Sequence, residues 1–202
     1  RAFAGDVDTV ARLGRAQAEG LAAGGVAPVM KHIPGHGRAG VDSHHALPRV
    51  DAAYRTLTEV DFAPFKALAS LPMAMTAHVV YEALDAKNAA TVSRTVIQDC
   101  IRGEIGFDGL LMTDDISMKA LAEPLAVSSA RALEAGCDVV LHCNGDMAEM
   151  QEVAGAVPAL TGEPLRRSET VLTFMERIRT EAQPAAMEEL LASFAELAGT
   201  AP

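Results

Sequence analysis

The sequence predicts an α/β protein built around a parallel β-sheet. Short runs of apolar residues alternate along the chain with longer segments that have helical periodicity. Each short run is continuously apolar instead of alternating between apolar and polar residues, as expected for a strand covered on both faces. Because strand–helix–strand connections are right-handed and return the chain to the same sheet, this order predicts a parallel sheet flanked by helices.

The composition is that of a folded, acidic protein. Of 202 residues, 50% are hydrophobic and 22% are charged, and 17 Lys+Arg against 27 Asp+Glu give a net charge of −10. This hydrophobic content excludes a disordered chain and provides enough apolar side chains for a sizeable core. The negative charge argues against a nucleic-acid partner, and no apolar run approaches the ~18 residues that a membrane span needs.

Four apolar runs are predicted to be strands, and helices are predicted between them. The strands comprise residues 27–33, 73–80, 109–114 and 138–143. The first helix is opened by Asp8 and stopped by Gly24-Gly25, and another is capped by Ser93 and ended by Gly106. Residues 125–135, 147–157 and 164–198 are predicted to form further helices.

Polar side chains stand at the carboxyl ends of several predicted strands. They are Lys31 and His32, His78, Asp114 and Asp115, and Asn144. This placement is typical of a (β/α)8 TIM-type barrel, whereas an open doubly wound sheet usually carries a glycine-rich phosphate turn after its first strand. A complete barrel runs to about 250 residues. We therefore expect about four C-terminal βα units, with a half-barrel over residues 1–165 and a helical tail of the same domain over 166–202.

The cysteines indicate a reducing compartment. Cys100, Cys137 and Cys143 are odd in number, lack metal-ligand spacing and lie in apolar stretches. We expect buried, reduced thiols in a cytoplasmic protein.

Residues 31–45 form the densest polar segment of the chain and hold four of its six histidines. Pro34 and three glycines disfavour a helix there, so the segment is predicted to be a loop leaving a strand. Asp42 and His44 are two residues apart, close enough for the carboxylate to orient the imidazole. Such a pair suits general acid–base catalysis near neutral pH, although a solvated polar loop would show the same residues.

A second concentration is Thr113-Asp114-Asp115, which follows the strongest strand pattern. Adjacent carboxylates at a strand end are costly unless they are solvated or used. One of the two is expected to act as nucleophile or general base, and the other, or Ser117, to cap the next helix.

Two chemistries fit these residues. One is a two-step displacement at an acetal carbon, with an aspartate as nucleophile and a histidine as acid and then base, and it needs no metal or organic cofactor. The alternative is a metal-dependent hydrolase with His32, His36, His44 and Asp114 as ligands. His32 and His36 have i,i+4 spacing, but Pro34-Gly35 between them breaks the helix that such a site requires.

The motifs resemble those of the family 3 glycoside hydrolases, specifically the β-N-acetylglucosaminidases of bacterial peptidoglycan recycling. Residues 31–37, Lys-His-Ile-Pro-Gly-His-Gly, are similar to that family's K-H-F-P-G-H-G signature, and Asp42-Ser43-His44 to its D-S-H loop. Residues 106–118 resemble its G-F-D-G…[ST]-D-D segment. Residues 75–78 and 135–138 also resemble segments of the family.

The resemblance implies a retaining exo-glycosidase that removes terminal β-linked N-acetylglucosamine from glycans or muropeptides. It implies Asp114 as the nucleophile and His44 as the acid/base, oriented by Asp42. Lys31, His32 and Arg1 would contact the sugar, and no cofactor is implied.

The family's first four strands would precede Arg1. We therefore expect the N-terminal half of the barrel to be missing from this chain, or the chain to be an inactive half-barrel fragment.

Overall fold

The computed structural model describes residues 3–41, 43, 46–182, 192–193 and 196. Its centre is a four-stranded sheet of β1 (Val29–Ile33), β3 (Met73–Thr76), β5 (Leu110–Asp115) and β6 (Val139–Leu141), in the order β1-β3-β5-β6. All three pairings are parallel. The predicted parallel sheet and its four strands are confirmed.

Helical segments connect the strands. They are α1 (Val7–Ala23), α2 (Tyr54–Thr56), α3 (Ala63–Ala67), α4 (Leu125–Ala135), α5 (Met147–Ala156) and α6 (Gly162–Glu181), with π-helical hydrogen bonding over Leu57–Asp61 and Val96–Glu104 and a 3₁₀ turn at Ala90–Val92. Within the described residues, no helix is long and apolar enough to cross a membrane.

The helix ends agree with the sequence prediction except in α6 and at the start of α1. The cap there is Asp6, whose carboxylate accepts from the Thr9 amide at 2.8 Å, whereas Asp8 lies inside the first turn. Ser93 caps its helical segment as predicted, because its hydroxyl accepts from the Val96 amide at 3.2 Å. The predicted helix over 164–198 is observed as Gly162–Glu181, and most of its remainder lies outside the described residues.

The predicted strand over 73–80 is wrong in its second half. β3 ends at Thr76, and Val80–Tyr81 form a separate strand, β4, which pairs in parallel with β2 (Arg49–Val50) in a second, small sheet. The backbone leaves the main sheet at residues 77–79, and His78 lies in this break. An apolar run does not reveal the break, because every residue of the stretch except Met75 is buried.

The core lies on both faces of the main sheet, which explains why the strands are continuously apolar. On one face, Ala74 and Leu111 are fully buried under the helical segments, together with Ile97 and Phe107. On the other, Met73 and Leu110 pack against Val171 of α6. α6 therefore covers the face of the sheet that the shorter helices leave uncovered.

An ionic network closes the amino-terminal end of β5 and β6. Asp138 is 3% exposed and accepts from Arg102 Nη2 at 2.8 Å, Arg167 Nη1 at 3.0 Å and the Leu111 amide at 2.8 Å. Arg102 also donates to the carbonyl oxygen of Gly109 at 2.7 Å. The Gly109 backbone runs so close to its neighbours that an added Cβ would lie 2.6 Å from the Pro72 oxygen.

This network predicts that Asp138→Ala is strongly destabilising. The substitution leaves two partly desolvated guanidinium groups without their shared carboxylate, and breaking a buried ion pair costs about 3–5 kcal/mol. Urea denaturation should report this loss, while Asp99→Ala, which removes an exposed carboxylate from Val96–Glu104, should change the free energy of unfolding by less than about 0.5 kcal/mol. Equal losses in the two variants would show that the network does not stabilise the fold.

Candidate active site

The carboxyl ends of the parallel strands meet at one edge of the sheet and bring together residues that are distant in sequence. Lys31 and His32 come from β1, and Asp114 and Asp115 end β5. His78 follows β3, and Asn144 follows β6. The clustering of strand-end polar residues that the sequence predicts is therefore present.

The central contact joins β1 to β5. His32 Nε2 lies 3.4 Å from Asp114 Oδ2, and the two side chains are 21% and 15% exposed. The other carboxylate oxygen, Oδ1, accepts from the Asp115 amide at 2.9 Å. Asp114 is thus held by its own strand on one side and faces a partly solvent-accessible imidazole on the other.

Asp115 has a different environment. Its carboxylate accepts from the Ser117 amide at 3.1 Å, the Ser117 hydroxyl at 2.8 Å and the Cys143 amide at 3.2 Å. These contacts tie the end of β5 to the loop after β6. The expectation that Asp115 or Ser117 caps the next helix is wrong, because these residues form a turn and α4 begins only at Leu125.

The polar loop after β1 is anchored at several points. The buried Tyr81 hydroxyl donates to the Gly35 carbonyl at 2.5 Å, and Gly35 has a φ of +144°, which a larger residue would adopt only with strain. Arg38 Nε donates to Asp61 Oδ2 at 2.7 Å. His36 Nε2 lies 3.4 Å from the Ser43 hydroxyl.

Three of the predicted site residues, Asp42, His44 and Arg1, lie outside the described residues. The structure therefore places Lys31, His32 and Asp114 of the predicted set at the same edge of the sheet, where His32 contacts Asp114, and the positions of the other three stay predictions. The ring of His36, a candidate metal ligand, lies tilted by 58° against the ring of His32, with 5.5 Å between the two centroids. No group of three or more His, Cys, Asp or Glu side chains suited to a metal ion occurs in the part of the chain that is described.

Sequence reasoning did not identify Glu149, and it named His78 only as a polar residue at a strand end. Glu149, in the first turn of α5, accepts from His142 Nε2 at 2.9 Å and also from the side-chain amide nitrogen of Asn144. His78 contacts Thr91 and the Asp115 backbone instead of facing the site openly. The only sequence signal for either group is a polar residue at a strand end.

The cysteines differ in exposure. Cys100 and Cys137 are buried, and burial raises the pKa of both thiols, that of Cys100 to about 12. Cys143 is exposed, so the expectation of three buried thiols is wrong for this residue. It follows β6, an edge strand in the described sheet, and the loop it begins lies at the surface.

A parallel α/β sheet with a carboxylate and a histidine at its carboxyl edge is typical of barrel enzymes whose active groups come from several strands. Residues 1–177 match the Glycosyl hydrolase family 3 N terminal domain, and the chain belongs to this family. The predicted α/β fold of the TIM-barrel type is thereby confirmed.

The individual relatives are named for one activity. Over 148 residues the chain is 45% identical to a beta-hexosaminidase of Alkalilimnicola ehrlichii, covering 71% of this chain and 42% of the relative. A family 3 beta-N-acetylglucosaminidase from Paenibacillus sp. str. FPU-7 superposes with a TM-score of 0.76 at 33% identity, over 92% of this chain and 37% of that one.

NagZ from Neisseria gonorrhoeae, in complex with N-trifluoroacetyl-D-glucosamine, superposes with a TM-score of 0.70 at 29% identity, over 89% of this chain and 58% of that one. The chain spans about half the length of the curated relatives it matches.

The difference in exposure predicts that one thiol reacts in the folded protein. Cys143 should react with a disulfide reagent such as dithionitrobenzoate, and all three thiols should react in urea. Because burial and the carboxylates of Asp115 and Asp114 raise the pKa of Cys143, its rate should keep increasing above pH 9. Cys143→Ser should abolish the reaction of the folded protein, and a remaining fast thiol would contradict the assignment.

Proposed function

We propose that this chain carries the catalytic centre of a retaining exo-glycosidase that removes terminal β-linked N-acetylglucosamine. The observation that carries the proposal is the Asp114 carboxylate at the end of β5, 3.4 Å from His32 of β1, in a glycoside hydrolase family 3 domain. The names of the relatives support N-acetylglucosamine as the sugar. Muropeptide fragments as the natural substrate and a cytoplasmic location are part of the same proposal.

Asp114, not Asp115, is the proposed nucleophile. Both carboxylates belong to β5, but the oxygens of Asp115 accept from Ser117 and the Cys143 amide, which makes them poorly available for attack. Asp114 has Oδ2 on the side that faces His32 and is partly accessible. An attacking carboxylate must reach the anomeric carbon, so the accessible oxygen is the better candidate.

The proposed reaction has two steps. In the first, Asp114 Oδ2 bonds to the anomeric carbon while the glycosidic C–O bond breaks and the leaving oxygen takes a proton from His44. In the second, a water oxygen bonds to the same carbon, the bond to Asp114 breaks and the water proton passes to His44. Asp42 orients His44, and Lys31, His32 and Arg1 bind the sugar hydroxyls.

The described sheet leaves the outer edges of β1 and β6 without a partner strand. A barrel needs both edges paired and its pocket surrounded on all sides. We propose that further strands, the N-terminal half of the barrel, complete the pocket. The experiments below therefore use the full-length gene product.

Trapping the covalent intermediate tests the nucleophile. A 5-fluoro N-acetylglucosaminyl fluoride should label the protein once, and peptide mapping should place the label on Asp114. Asp114→Asn should lower kcat on the order of 10³-fold or more, because the covalent step is lost. Asp51→Asn makes the same carboxylate-to-amide change at an exposed position and serves as the control, which should keep full activity. A label on another residue, or an active Asp114→Asn protein, would contradict the proposal.

A leaving-group series tests the acid/base. His44→Ala should lower kcat/KM for N-acetylglucosaminides with alkyl or sugar leaving groups about 10²–10⁴-fold, since those groups need protonation. Dinitrophenyl substrates, whose leaving group needs no proton, should be far less affected. The neighbouring His45→Ala is the matched control. An equal loss for both kinds of leaving group would show that His44 is not the general acid.

A further inference from the structure

We propose that His78 is a positioning residue for the nucleophile: one hydrogen bond from its ring to the Asp115 backbone holds the end of β5 so that the Asp114 carboxylate faces β1. This inference rests on the proposed function, since it assumes that Asp114 reacts. It concerns a fully buried residue whose ring hydrogen bonds go to Thr91 and to the backbone of Asp115.

The need for such a contact arises from the sheet itself. β3 pairs with β5 only as far as Met75 opposite Met112, and β3 then leaves the sheet after Thr76. On the other side, the register between β5 and β6 is irregular between Met112 and Asp115. The last residues of β5 therefore extend past the ladder with β3, although a partly buried carbonyl there still needs a donor.

His78 supplies that donor. It lies in the break after β3, is 0% exposed, and places Nε2 3.0 Å from the Asp115 carbonyl oxygen. A carbonyl oxygen only accepts hydrogen bonds, so Nε2 must carry the hydrogen. The His78 side chain, two residues beyond the end of β3, thus makes a hydrogen bond to β5 where the backbone of β3 no longer does.

The neighbours of the other ring nitrogen agree with the tautomer that carries its hydrogen on Nε2. His78 Nδ1 lies 2.7 Å from the Thr91 hydroxyl, which in turn lies 2.8 Å from the hydroxyl of Thr76. Both threonines are fully buried. Burial lowers the pKa of His78 and so favours the neutral ring, in which Nε2 carries the only hydrogen. Nδ1 then accepts the one hydroxyl hydrogen of Thr91 at 2.7 Å, in preference to the Ala77 carbonyl oxygen, which lies 3.2 Å from the same hydroxyl.

The hydrogen bond reaches the nucleophile through one residue. The amide of Asp115 donates to Asp114 Oδ1 at 2.9 Å, while its carbonyl accepts from His78 and its carboxylate accepts from Ser117 and Cys143. The Asp115 carbonyl belongs to the Asp115–Ile116 peptide, whose amide donates to the Leu141 carbonyl at 2.9 Å. If the contact with His78 is lost, that peptide is held on the β6 side alone, and Asp115, whose own amide orients Asp114, can shift. A displacement of about 1 Å at a reacting group is enough to lower the rate about 10²-fold.

Two substitutions of similar size separate this role from simple packing. In His78→Gln the side-chain amide nitrogen reaches the position of imidazole Nε2 and can donate to the Asp115 carbonyl. In His78→Asn the amide reaches only the position of Nδ1, so it contacts Thr91 but not Asp115. Both variants remove the same buried ring, and thermal unfolding should show similar losses of stability.

The two variants are expected to differ in kcat. His78→Gln should keep kcat within roughly fivefold of the unsubstituted protein, whereas His78→Asn should lose about 10²-fold, with KM little changed because the sugar contacts remain. The rate of labelling by the fluoro-sugar should fall in parallel. Equal activities in the two variants, following stability alone, would overturn the inference.

A measurement on the unsubstituted protein covers the case in which the variants do not fold. Nitrogen-15 NMR of the imidazoles should show His78 protonated at Nε2 and not at Nδ1. A hydrogen on Nδ1 alone would rule out the bond to Asp115 and with it the inference. Labelling of a residue other than Asp114 would instead overturn the proposed function, and the two failures are thus distinguishable.

Discussion

Parallel strands that end at a common edge create the constraint on which the site depends: the ladder stops there, yet the backbone groups beyond it remain partly buried and need hydrogen bonds. Side chains satisfy them. Thr113 Oγ1 accepts from the Leu141 amide at 2.9 Å, Asp115 accepts from the Cys143 amide, and His78 donates to the Asp115 carbonyl. These contacts leave Asp114 as the carboxylate of the pair that faces β1.

The two ends of the sheet have different tasks. At the amino-terminal end, Asp138 joins Arg102, Arg167 and the Leu111 amide in a network that stabilises the fold. At the carboxyl end, the side chains of His32 and Asp114 are partly exposed. Separation of stability from chemistry in this way is a general property of barrel domains, because the loops after the strands can vary while the opposite end stays closed.

Much of the fold follows from local sequence. Strand positions, the Ser93 cap and the helix ending before Gly136 were all predictable, because each depends on residues within one turn or one strand. Two of the errors have non-local causes. The run over 73–80 divides because its second half pairs with Arg49–Val50, and the exposure of Cys143 reflects the edge position of β6. The cap of α1, predicted at Asp8 and observed at Asp6, is a local error of two residues.

By itself, the sequence determined the α/β class, the strands and the kinds of residues at their ends, through apolar continuity and short-range capping. Only the tertiary structure decided which aspartate faces His32 and which is held by Ser117 and Cys143. It also decided that His78 is buried against the Asp115 backbone. The physical reason is that Cys143 and His78 lie 28 and 37 residues from Asp115 in the chain, and their hydrogen bonds form only when the strands align.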